Sequence, residues 1–114
     1  MTLKKQIEHL IKAGNEYDTD KYLSYFDEDA ILEDPSVGRT FTGIEGIKEY
    51  FLSYFIGYNT QTTLLTTQLR DEANLFVEVA FTGDFPEGNL KGSFDFTFRD
   101  DKIIYIKADL IYGS

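Results

Sequence analysis

The sequence predicts an α+β domain in which N-terminal helices pack on one face of an antiparallel sheet. Two patterns carry that prediction. Before Thr60, apolar residues recur every three or four positions over two stretches, as they do along one face of a helix. From Thr60 onward they alternate with polar residues, the signature of half-buried strands. A length of 114 residues makes 1–114 a single domain, large enough to bury a real core.

Taken in order, Leu3, Ile7, Leu10, Ile11 and Gly14 share one face and predict a first helix over Leu3–Glu16. The lone histidine, His9, falls opposite that stripe and is expected in solvent. Asp18 or Thr19 can cap a short second helix running through Phe26, with Tyr22, Leu23 and Phe26 on its buried side. Asp27, Glu28 and Asp29 lack the alternating oxygen ligands and turn glycine of a calcium loop, and read as a solvated turn. A strand follows and stops after Asp34, because Pro35 has no backbone N–H to give to a sheet. Residues 37–42 read as a loop with some strand character. Thr42-Gly43-Ile44-Glu45 has the form of a capping box. It opens a helix with Ile44, Ile47, Phe51, Tyr54 and Phe55 buried, and Gly57 suits its stop. Four strands then predict a meander: Thr60–Arg70, Leu75–Thr82, Leu90–Arg99 and Lys102–Ile111. In the last of these, Ile104, Ile106, Ala108 and Leu110 fall on one face.

Composition narrows the function classes. The net charge of −9, with the bases scattered, repels phosphate and anionic lipid, so neither nucleic acid nor a membrane surface is an expected partner. Without cysteine there is no disulfide or thiolate site, and with one histidine there is no transition-metal cluster; no cofactor is implied. Lys4 and Lys5 precede an amphipathic helix rather than an apolar run, so a cytoplasmic protein is the default expectation. Ten Phe and eight Tyr supply enough rings to line an apolar interior.

The chemistry concentrates between Asp29 and Tyr58. Asp34 shares its alternation parity with Ala30 and Leu32, whereas Glu33 shares parity with Ile31, so Asp34 is the acid expected to face the core. A carboxylate at the mouth of an apolar layer can serve as a base. An aspartate before proline also serves simply to cap a turn, and both readings stand at this point.

The run DAILEDPSVG, followed by Thr42-Gly43-Ile44-Glu45-Gly46-Ile47 and an aromatic helix, resembles the nuclear-transport-factor-2-like superfamily. Within it the resemblance is to ketosteroid isomerases and SnoaL-like polyketide cyclases. It implies a cystatin-like cone, with helices on a curved antiparallel sheet around an apolar pocket, and commonly a homodimer paired through the outer sheet face. It implies Asp34 as the proton-shuttling base and a small hydrophobic molecule as ligand. The expected pocket lining is Leu10, Tyr17, Phe26, Phe51 and Tyr54 from the helical half, with Phe55 beside them. Phe81, Phe94, Phe96 and Ile106 complete it from the sheet. Such isomerases use two oxyanion donors, a tyrosine and a protonated aspartic acid. By position these places fall at Leu10 and Phe94, neither of which donates a hydrogen bond. Asp95, next to Phe94, belongs by parity to the opposite face. Tyr17, Tyr54 and Tyr58 could supply a donor from another direction. The alternatives are proton transfer on a small apolar carbonyl compound, binding of a hydrophobic molecule without turnover, and a dimerisation module.

Overall fold

The computed structural model describes residues 2–111. Helix α1 (Leu3–Asn15) starts where the Thr2 side chain accepts from the Lys5 N–H at 3.2 Å, and it buries Ile7, Leu10, Ala13 and Gly14. Helix α2 (Thr19–Leu23) is capped by the Asp18 carboxylate. It stops short of Phe26, which instead opens strand β1 (Phe26–Asp34). Asp27, Glu28 and Asp29 therefore lie in a strand rather than a turn. They sit where the pairing of β1 is interrupted by a register shift between Phe26 and Ile31, which hides them from a reading by alternation alone.

Strand β2 (Arg39–Thr42) folds back on β1 and leads into α3 (Gly43–Phe51). The expected capping box does not form. Thr42 is held in extended backbone as the rung opposite Ile31 and makes no side-chain cap; Gly43, at φ 73°, turns the chain into the helix instead. After Phe51 the helix widens into a π turn (Leu52–Ile56), closed by a bond from the Gly57 N–H to the Leu52 carbonyl at 2.9 Å.

Strands β3 (Gln61–Asp71), β4 (Asn74–Thr82), β5 (Asn89–Arg99) and β6 (Lys102–Leu110) form the expected meander. The six-stranded sheet has the order β2-β1-β6-β5-β4-β3. It is mixed, not wholly antiparallel, because β1 lies parallel to β6. Alternation identifies strands but not the partner that a distant strand meets after the chain has gone round the domain. Register shifts in β3 and at Thr97/Phe98 bend the sheet. The second of these also moves the buried isoleucine of β6: Ile103 is buried and Ile104 is only half-buried, after which Ile106 and Ala108 resume the inner face.

At Gly92 the sheet leaves little room for a side chain. Gly92 pairs with Val79 and Leu110, and the ring of Phe81 lies over it. A Cβ at Gly92 would stand 2.7 Å from Phe81 Cε2 and 3.0 Å from the Asp109 carbonyl oxygen. Gly92→Ala should therefore cost about 1–3 kcal/mol in urea unfolding. An unchanged midpoint would show that the strands have room to spare.

Candidate functional site

The end of β1 places Asp34 on the inner face, 6% exposed. Three donors meet its carboxylate. Oδ1 accepts from both the backbone N–H and the hydroxyl of Ser36, and Oδ2 accepts from the Tyr50 hydroxyl at 3.0 Å. The Ser36 contacts come from the β1–β2 turn, where the Val37 N–H also bonds the Asp34 carbonyl. Asp34 thus caps a turn and faces the interior at once; the two readings of the sequence are not exclusive.

Tyr50 is the residue the sequence reading missed. It stands three positions after Ile47, and both are buried on the same side of α3. That spacing was the available signal. Burial, then the neighbouring Asp34 charge, pushes the Tyr50 phenol well above its ordinary range. Burial does the same to Tyr22, whose ring stacks on Phe51 with centroids 4.1 Å apart.

Asp34 lies in the wall of a cleft of about 190 Å³. The helical side of this cleft is Tyr50, Tyr54, Phe55 and Tyr58; Phe81, Phe85, Leu90 and Leu110 close it from the sheet side. Among the described residues, Asp34 is the one acid or base in the lining. Deeper in the domain is a separate void of about 30 Å³, touched by Leu10, Phe94, Phe96 and Ile106. Phe55 lines both spaces.

The residues expected to line one pocket are thus distributed over several places. Asp34, Tyr54, Phe55 and Phe81 meet in the cleft, while Leu10, Phe94, Phe96 and Ile106 surround the inner void. Phe26 and Phe51 line neither and pack in the core. Tyr17 also lies outside both; its hydroxyl donates to the Thr60 carbonyl at 3.2 Å, tying α1 to the start of β3. Asp95 lies opposite Lys107 in the sheet and pairs with Arg70 at 3.5 Å. On β1 and β6, Glu33 accepts from the Tyr105 hydroxyl at 2.7 Å, and this bond pushes the phenol up to about 12. Among the described residues no cluster of His, Cys, Asp or Glu is placed to hold a metal ion, and no helix is long and apolar enough to cross a membrane.

Comparison with known proteins adds the family. A family model described as a SnoaL-like domain matches residues 7–106. A comparison with curated proteins finds no match. Among solved structures, a candidate polyketide cyclase from Sinorhizobium meliloti superposes with a TM-score of 0.83 at 21% identity, over 91% of this chain and 93% of that one. A Mycobacterium tuberculosis protein in complex with estradiol-17β-hemisuccinate gives 0.78 at 13% identity, over 90% of this chain and 88% of that one. A Catenulispora acidiphila protein with a ketosteroid isomerase-like fold, in complex with trimethylamine, gives 0.81 at 17% identity, over all 100% of this chain and 88% of that one. At these identities the likeness speaks to the fold.

The buried phenols make stability sensitive to alkali. Tyr22 and Tyr50 hold their protons in the folded state at pH values where an unfolded tyrosine, near pKa ~10, releases them. The unfolded chain then binds fewer protons, so stability is fully present below about pH 10 and falls as the pH rises beyond it. Urea unfolding at a series of pH values should show that fall, made shallower by Tyr22→Phe. A flat profile up to about pH 11 would mean that these phenols ionise as freely in the folded chain as in the unfolded one.

Proposed function

We propose, since this chain belongs to the SnoaL-like domain family of the nuclear-transport-factor-2-like superfamily, that it takes a small apolar carbonyl compound into the aromatic cleft and moves a proton on it with Asp34 as the base. What supports this reading is that, among the described residues, one buried carboxylate stands in a wall otherwise made of rings, aliphatic side chains and hydroxyls. Its three donors use three of the roughly four lone-pair positions of a carboxylate, leaving about one for a substrate proton. They also fix the oxygen in space, which proton transfer from carbon requires. The phenols of Tyr54 and Tyr58, on the same cleft, are the groups available to bond the oxygen that gains charge.

Size sets the substrate class. A cavity of about 150 Å³ holds benzene, whereas drug-sized ligands occupy about 300–1,000 Å³. A cleft of about 190 Å³ suits a compound of one ring better than the four-ring steroid ester seen with the Mycobacterium tuberculosis neighbour. Binding without turnover is the second reading. It is favoured by Leu10 and Phe94, which stand where the resemblance places the oxyanion donors and present only hydrocarbon. Loss of one such donor costs about 10²–10³ in rate.

Conversion of 3-cyclohexen-1-one to its conjugated isomer, followed by absorbance, separates the two. Under the first reading the protein accelerates it and Asp34→Asn lowers the rate by about 10²–10⁴. Acceleration that survives Asp34→Asn would remove Asp34 as the base. A thermal shift with the enone but no isomerisation would leave binding alone.

The homodimer implied by the resemblance would use the outer sheet face, where half-buried Phe76 lies under the Arg70 guanidinium. Light scattering should then give twice the 13.1 kDa of one chain, and a monomer would exclude that pairing.

A further inference from the structure

Thr62, on β3, is 8% exposed, and its hydroxyl has no hydrogen-bond partner. Its backbone is fixed on both sides. The Asn15 side chain accepts from the Thr62 N–H at 2.8 Å and donates to its carbonyl at 2.9 Å, so the end of α1 grips the start of β3. Thr62 lines the inner void beside one other hydroxyl-bearing residue, Tyr22, in a wall that is otherwise hydrocarbon, including Leu10, Phe94 and Ile106. A buried hydroxyl without a partner is destabilising, and a fold that keeps one at the edge of a void invites a function for it. The void itself, at about 30 Å³, has room for a group the size of one water and not for a ring. Among the described residues Phe55 alone lines both this void and the cleft, and it is carried on the π turn, a kind of helical irregularity that recurs at functional sites. Turning that ring would join the two spaces and free the volume it now fills.

We propose that the Thr62 hydroxyl is a second hydrogen-bonding subsite, at the inner end of the pocket, for a carbonyl or hydroxyl oxygen carried on the far end of a ligand that passes Phe55. It rests on the reading that the cleft takes a ligand. Thr62 lies on β3 and lines the same void as Leu10 and Phe94, which cannot donate, and as Tyr22, which can; the Thr62→Val variant tells the two hydroxyls apart. The ligand class becomes an apolar body with an oxygen at each end, one for Asp34 and one for Thr62.

Calorimetric titration of the full chain with 4-phenylphenol and with 4,4′-dihydroxybiphenyl tests this. The two probes share a biphenyl body and differ by the second hydroxyl. The unsubstituted protein should bind the diol about threefold to tenfold tighter, the worth of one hydrogen bond. Thr62→Val, which keeps the branched shape that suits a strand, should abolish that preference and leave the affinity for 4-phenylphenol unchanged. Equal affinities in the unsubstituted protein, as a hydroxyl satisfied by buried water alone would give, overturn the proposal. So does a preference that persists in Thr62→Val, or a failure of both probes to bind. Turnover of the single-ring enone does not require the inner void, so its loss would end the base reading while leaving a Thr62-dependent diol preference standing.

Discussion

A carboxylate withdrawn from water is tolerated when donors replace the water it loses. Asp34 meets that condition with groups from two separate elements: Ser36 in the turn after β1, and Tyr50 on α3. Pro35 ends the strand so that the turn can form, and Gly38, at φ 69°, completes the return to β2. The same contact determines how α3 lies against β1, since Tyr50 reaches Asp34 only when that helix face is turned inward. Strand end, turn and helix are thus tied at one side chain, and the cleft is the space left beside it.

The π turn has the complementary effect. It follows α3 directly and carries Tyr54 and Phe55, so a ring that lines both spaces and a phenol that borders the cleft come from one short irregular segment. Phe55 packs edge-on to Phe81 with centroids 6.0 Å apart and stacks with Phe51 at 5.7 Å. Its place in the aromatic cluster makes it both core and cleft wall. Under the proposal above, a ligand that passes Phe55 must supply contacts that replace those it disturbs.

Much of this was legible in the chain. Alternation placed Asp34 and Phe94 on the inner face and Asp95 on the other, because side-chain parity in a strand needs no knowledge of its neighbours. The resemblance supplied the cone, and the family match accords with it. What failed to show had physical causes. The bulge after Phe26 broke the pattern by which β1 would have been extended backward. The cap expected of Thr42 was overridden by its rung in the sheet. The parallel pairing of β1 with β6 is a tertiary fact with no local signature. Tyr50 is readable from its spacing to Ile47, three positions before it on the same helix. Thr62 could not be singled out among the threonines of β3, because what distinguishes it is the lack of a partner in a packed interior.

The contact between Asp34 and Tyr50 is the centre of the account, and a double-mutant cycle on folding stability measures it directly. Asp34→Ala, Tyr50→Phe and the double variant should show a coupling of about 1–3 kcal/mol, as expected for a buried hydrogen bond to a charged group. Effects that add to within about 0.5 kcal/mol would mean that the two side chains do not hold each other, and the site as described would not exist.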